Sequence, residues 1–209
     1  LIHDDIMDLA PLRRGKETVY KKWNNNIAIL SGDALATMAL QQILLTPVNP
    51  QVVIKMAALF AQTSLEICEG QQYDLDFEKQ DHVTIYQYIE MIRLKTAVML
   101  AGCLKVGAIL SNASEKDQNE IYLFGIHIGL AFQSQDDLFD VYSDAETFGK
   151  QIGGDIKSNK KTYLYLLALE RANPDQKNAL KKWFSIESCD TDQKFHQVKT
   201  IFDQLNIFK

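Results

Sequence analysis

Apolar residues recur along this chain at the three-and-four spacing of helices. Ile121, Phe124, Ile128, Ala131 and Phe132 share one side of a predicted helix that Leu138 and Val141 continue. Ile85, Tyr88, Ile89, Ile92, Thr96 and Met99 repeat the pattern upstream, and the middle of the chain shows no alternating strand pattern with a hairpin turn. Prolines stand only at Pro11, Pro47, Pro50 and Pro174, so several long helices fit between the last two. Pro47-Val-Asn-Pro50 separates two helices, and Asn112-Ala113-Ser114 before Glu115 closes one and starts the next. Gly149 and the Gly153–Gly154 pair end the helix that carries Ile121. The expectation is an all-α fold, one domain over residues 1–209, with no low-complexity segment or linker.

Composition narrows the function classes. Hydrophobic residues make 46% of the 209 and charged residues 23%, the balance of a globular protein. A formal charge of -5 argues against a general nucleic-acid surface, which needs a basic face. A phosphate-bearing substrate stays open, since metal ions supply positive charge locally. Cys68, Cys103 and Cys189 are odd in number, far apart and without a CxxC pair, which reads as free thiols in a reducing compartment. No uninterrupted apolar run reaches the roughly 18 residues of a membrane span, so a cytoplasmic protein without stable membrane insertion is expected. The chain opens at Leu1, within what reads as a helix and without an initiator Met, and so is expected to be part of a longer protein.

The chemistry is carried by one element that occurs twice, Asp4-Asp5-Ile6-Met7-Asp8 and Asp136-Asp137-Leu138-Phe139-Asp140. On a helix the first and last aspartates of D-D-x-x-D are four apart and share a face. Two such charges about 4 Å apart repel by roughly 4 kcal/mol at an effective dielectric near 20. A divalent cation reverses that sign, and Mg²⁺ takes oxygen ligands from one or two carboxylates together with substrate phosphates. A single copy reads equally well as a solvated acidic turn. Two copies, with Met7, Leu138 and Phe139 inside them and Leu1, Ile2 and Phe132 beside them, point instead to a cavity holding several Mg²⁺ ions around one diphosphate.

Basic residues follow each acidic run. Arg13-Arg14-Gly15-Lys16 comes after the first, Gly149-Lys150 through Asp155 after the second, and Lys160-Lys161-Thr162 beyond. Arginine forks match diphosphate oxygens in pairs, and lysine acts as a point charge. There is no GxxxxGK[ST] loop, and the Gly149–Gly154 spacing is wrong for a dinucleotide fingerprint. Those glycines read as shaping a lid.

The run Leu1 to Asp8, then Arg13-Arg14-Gly15-Lys16, then Ser31-Gly32-Asp33, resembles the first half of the trans-isoprenyl diphosphate synthases, also called polyprenyl synthetases. Gly70-Gln71 with Asp74, Lys95-Thr96, Phe132-Gln133 before Asp136-Asp137, and Gly149-Lys150 through Asp155 to Lys160 follow in that family's order. The resemblance implies a helical bundle around a central hydrophobic cavity, a homodimer, and head-to-tail condensation of isopentenyl diphosphate with an allylic diphosphate. It implies Mg²⁺ on Asp4, Asp8 and Asp136, with Asp5, Asp137 and Asp140 lining the same shell or orienting waters. Arg13, Lys95 and Lys150 would hold the allylic diphosphate, with Lys160 also binding substrate, and Arg14 would hold isopentenyl diphosphate. Lys95, Thr96 and Gln133 would act at the developing allylic cation.

The match has gaps. The family's Gly-Lys-x-x-Arg-Pro segment and its C-terminal helices are not in this sequence, Glu17 stands where proline is common, and Tyr20 where histidine is common. Only three residues precede Asp4, so the positions that set product length are not visible; farnesyl and geranylgeranyl products lead. A terpene cyclase shares the all-α design but usually carries an Asn/Ser/Glu-type second motif. A non-catalytic partner subunit tends to lose the acidic ligands, and here all six aspartates stand.

Overall fold

A computed structural model describes residues 1–143, 152–185 and 190–208. The sequence readings placed on Gly149, Lys150 and Cys189 lie outside the described residues. The element order is α1 (Ile2–Met7), β1 (Leu12–Arg13), β2 (Lys16–Glu17), α2 (Val19–Lys22), α3 (Asn25–Leu44), α4 (Pro50–Lys79) and α5 (Ile85–Ile92). A π-helical turn (Arg93–Ala97) then leads into α6 (Val98–Leu110) and α7 (Glu115–Tyr142), followed by α8 (Gly154–Lys157), α9 (Tyr163–Arg171), α10 (Pro174–Ser185) and α11 (Thr191–Gln204). The fold is all-α, apart from one two-residue hairpin among the described residues.

The punctuation acts where the sequence places it. α3 ends at Leu44 and α4 begins with Pro50, whose missing N–H costs nothing at a helix start. Ser114 Oγ accepts from Asp117 N at 3.2 Å and opens α7. Thr84 and Gln87 form a capping box at α5, and Asp190 caps α11 through the N–H groups of Asp192 and Gln193.

The hairpin is an addition to the sequence expectation. Arg14 and Gly15 both have positive φ, 53° and 73°, the requirement of a two-residue type I′ turn, and Arg13 pairs with Lys16 across it.

The chain divides into two compact units, Leu1–Cys68 with Ala97–Ile128, and Glu69–Thr96 with Gly129–Lys209. In the first unit α1 rests on α3. His3 Nε2 lies 2.9 Å from Ile29 O and 3.3 Å from Asp33 Oδ1, and a Cβ at Gly32 would come within 2.4 Å of the same nitrogen. The Ser31-Gly32-Asp33 signature thus seats the helix bearing the first acidic run. The second unit has a continuous core in which α5 contributes Tyr88, Met91 and Ile92, α9 Leu164 and Leu166, and α11 Val198 and Phe202. Burying each such aliphatic or aromatic side chain contributes about 1.5–3 kcal/mol.

One expectation needs correction. The face of α7 picked out by periodicity is largely open, with Phe124 54% and Phe132 56% exposed, while Gly125, Ile126 and Gly129 are buried instead. A Cβ at Gly125 would lie 2.5 Å from Ala101 Cα, so α7 approaches α6 closely along small residues and turns its bulky ones outward. α3 and α4 are each long and apolar enough to cross a membrane by length and composition, though Ser31, Asp33 and Gln41 interrupt the apolar run within α3.

Candidate functional site

In the first unit α1 displays the first acidic run. Asp4 is half-buried, and Asp8, one turn on, caps the helix with its N–H donated to Asp4 O at 2.8 Å. Asp5 points inward and is 4% exposed. The hairpin folds Arg13 back over this cluster, where Nε donates to Asp5 Oδ1 at 2.7 Å and Nη2 to Asp4 Oδ2 at 3.2 Å. Arg14 sits exposed on the turn itself. The structure therefore brings Asp4, Asp5, Asp8 and Arg13 together, with Asp5 bonded to the arginine.

In the second unit the last turns of α7 divide their aspartates between tasks. Asp136 is half-buried. Asp137 is buried, and its oxygens accept from the Tyr88 hydroxyl and from Gln133 Nε2, the latter at 3.1 Å. Asp140 closes the N-terminus of α8, accepting from Gly154 N at 3.0 Å and Asp155 N at 3.2 Å. Gly153, at φ 72°, makes the turn that brings those groups back to α7.

Burial pushes both inner carboxyls up, Asp137 to about 7 and Asp140 to about 7, with the negative charge of Asp155 adding to each and hydrogen bonds partly opposing the rise. Both acids ionise near 3.8 when unfolded, so between that value and about 7 the folded chain holds more protons than the unfolded one. Their contribution to stability is complete below the unfolded value and is lost as pH climbs through about 7. Thermal melts of metal-free protein should give a lower midpoint at about pH 8 than at about pH 5, a difference that Asp137→Asn reduces. A midpoint rising with pH contradicts this reading.

The π-helical turn carries Lys95 and Thr96. Such a turn inserts one residue into the helical ladder and resets the direction of the side chains. Lys95 Nζ reaches Asp74 Oδ2 at 2.6 Å, and Lys160 Nζ lies 3.6 Å from the same oxygen. Burial pushes the Asp74 carboxyl up, but the charges of Lys160 and Lys95 outweigh it and hold it below the usual range. Lys161 serves differently, donating to Phe77 O at 2.6 Å at the end of α4. Thr96 Oγ1 donates to Gln133 Oε1 at 3.2 Å. Lys95, Thr96, Gln133, Asp137 and Lys160 are thus linked inside one unit. Asp74, quoted in the sequence without a role, holds the two lysines, and Tyr88, read there only as a core residue, holds Asp137. No motif spacing marks either function.

Among the described residues no three His, Cys, Asp or Glu side chains converge on a protein-only metal cage. The donors fit Mg²⁺ on other grounds. Asp4 and Asp8 offer hard carboxylate oxygens one helical turn apart, the ligand type Mg²⁺ takes, and Arg13 occupies oxygens of Asp4 and Asp5 in its absence.

The polyprenyl synthetase family model matches residues 1–202. The short chain isoprenyl diphosphate synthase of Methanothermobacter thermautotrophicus is 40% identical over 180 residues, 86% of this chain and 55% of the relative. The geranylgeranyl diphosphate synthase of Methanosarcina mazei is 39% identical over 171 residues, 82% of this chain and 53% of the relative. Among solved structures, a geranylgeranyl pyrophosphate synthase superposes with TM-score 0.92 at 46% identity, covering 99% of this chain and 63% of that one. A polyprenyl synthase from Caulobacter crescentus, complexed with calcium and isoprenyl diphosphate, gives TM-score 0.90 at 27% identity over 99% of this chain and 61% of its own. The chain spans about half the length of the curated relatives it matches.

Proposed function

The chain belongs to the polyprenyl synthetase family, and from that premise we propose that the full-length protein condenses isopentenyl diphosphate with an allylic diphosphate, head to tail, in isoprenoid biosynthesis. One observation carries the reading. All six motif aspartates are present while Thr96 and Gln133 meet beside the second motif and Lys95 and Lys160 share Asp74.

Asp4, Asp8 and Asp136 would hold several Mg²⁺ ions, which when bound would neutralise charge on the leaving diphosphate. Lys95 and Lys160, steadied by Asp74, hold the allylic diphosphate with Arg13 and Lys150, and Arg14 takes the diphosphate of isopentenyl diphosphate. As the allylic C–O bond breaks, the hydroxyl of Thr96 and the amide of Gln133 face the growing positive charge. The isopentenyl double bond then attacks, and its surplus proton leaves with the departing diphosphate. Farnesyl and geranylgeranyl diphosphates are the proposed products.

The test is incubation of the full-length protein with labelled isopentenyl diphosphate and each allylic primer, with products separated by chromatography. Elongated diphosphates formed only with Mg²⁺ support the proposal. No elongation with any primer, or a cyclised hydrocarbon from the primer alone, overturns it.

The protein is also proposed to be a cytoplasmic homodimer. α3 buries only Ala28 and exposes Ile27, Ile29, Leu30, Leu35, Met38 and Leu44, a surface that water disfavours and a second copy would cover. Sedimentation of the full-length protein should give twice the monomer mass without detergent. A detergent-dependent membrane fraction contradicts this.

A further inference from the structure

The second unit holds a chain of polar groups that the proposed reaction does not by itself explain. Tyr88, 4% exposed, donates its hydroxyl to Asp137 Oδ2 from α5. Gln133 Nε2 donates to Asp137 Oδ1 at 3.1 Å, and Thr96 Oγ1 donates to Gln133 Oε1 at 3.2 Å. The order is Tyr88, Asp137, Gln133, Thr96, and every link has a polarity.

The polarity matters because the two ends of a glutamine amide are equal in size and opposite in charge, so only their partners decide which way it lies. As a carboxylate, Asp137 accepts at both oxygens, which draws the NH₂ end of Gln133 inward and leaves the carbonyl oxygen towards Thr96. We infer that Tyr88 is a positioning residue: it commits one oxygen of Asp137, leaves the other to the Gln133 NH₂ group, and so presents the amide carbonyl, never the NH₂, to the reacting carbon. The inference rests on the proposed condensation, in which positive charge develops beside the diphosphate that Lys95 holds. A carbonyl oxygen there lowers the barrier to ionisation, and an NH₂ group raises it. Asp137 then belongs to the support of the site and not to its metal ligands.

The arrangement has a diagnostic signature. Asp137→Asn replaces a group that accepts twice with one that accepts once and donates once. If Tyr88 keeps the acceptor, the donor faces Gln133 and turns its amide over. Gln133→Glu has two acceptor ends, so alone it sets a carboxylate against Asp137. Combined with Asp137→Asn it accepts the new donor and restores an oxygen on the Thr96 side.

The experiment uses full-length protein. Tyr88→Phe should lower kcat about tenfold and Asp137→Asn about 10²-fold, with KM for isopentenyl diphosphate and the Mg²⁺ concentration for half-activity changed by no more than about twofold. Asp137→Asn with Gln133→Glu should turn over faster than either single variant. In metal-free melts the double variant should regain the midpoint lost by Gln133→Glu, a readout independent of catalysis. Elongation by the wild type together with full kcat in Tyr88→Phe, or a double variant no better than its worse parent in rate and melt, overturns the inference alone. A wild type that elongates no primer overturns it together with the proposed function. A large rise in the Mg²⁺ requirement of Asp137→Asn also overturns it, by returning Asp137 to the metal.

Discussion

Replacing Asp4 or Asp136 with alanine is expected to lower turnover by about three powers of ten while the helical fold remains. The leaving group of the proposed reaction is a diphosphate, and charge accumulates on it as the C–O bond lengthens. Metal-bound neutralisation of such charge supplies several kcal/mol, and a loss of about 4 kcal/mol is about a thousandfold at 1.36 kcal/mol per decade. The cost to folding is small by comparison. Asp4 is half-buried and shares Arg13 with Asp5, so its removal breaks one partly solvated ion pair, worth about 0–1 kcal/mol, and relieves repulsion among neighbouring carboxylates. Asp136 likewise lies on α7 among acids that repel it. The check is steady-state kinetics of both variants beside their circular dichroism. Near-normal turnover in both contradicts the site assignment, and loss of helicity assigns the effect to folding.

Gly70→Ala is expected to have the second-largest effect, at a residue that touches no substrate. An added Cβ would lie 2.3 Å from Lys95 N, 2.7 Å from Lys95 Cα and 2.8 Å from Leu94 C. All three neighbours are backbone atoms of the π-helical segment, so no side chain can swing aside. Either α4 separates from that segment or the turn relaxes, and in both cases Lys95 leaves Asp74 and Thr96 leaves Gln133. Overpacking of this kind costs about 1–3 kcal/mol in stability. Displacing a positioning group by about 1 Å costs on the order of 10²-fold in rate. The expected outcome is a melting midpoint several degrees lower, as about 1 kcal/mol shifts a chain of this size by about 2–4 °C, together with the loss of activity. A variant with wild-type kinetics would show that the close approach is not what sets Lys95.

These two residues also mark what the sequence discloses and what it does not. Asp4 and Asp136 were legible because metal chemistry imposes a spacing, and D-D-x-x-D written twice is a pattern on the line of the chain. The all-α fold was legible because apolar periodicity, two prolines and a capping serine are local signals. Tyr88 was not, since its partner lies 49 residues away and its spacing within α5 is that of any core residue. The π-helical turn was hidden too: Arg93-Leu94-Lys95-Thr96-Ala97 carries nothing that distinguishes it from ordinary helix, and the glycine whose close approach its backbone admits lies 23 residues before Arg93. The hairpin at Leu12–Glu17 escaped because two-residue strands have no alternation to read, though Arg14-Gly15 is compatible with its turn. The outward face of α7 misled for a physical reason. Periodicity reports that a face is apolar, not whether the face packed within this chain is that one or a glycine-lined neighbour.

Diffraction from crystals of the full-length protein soaked with Mn²⁺ and a non-ionisable allylic diphosphate analogue tests the proposed metal ligands most directly, since Mn²⁺ substitutes for Mg²⁺ and scatters anomalously. Anomalous peaks should appear at coordination distance, about 2.1 Å, from a carboxylate oxygen of Asp4 and from one of Asp136. A diphosphate bound with no metal on one of these two aspartates, or either carboxylate turned to bulk solvent in that complex, contradicts the account.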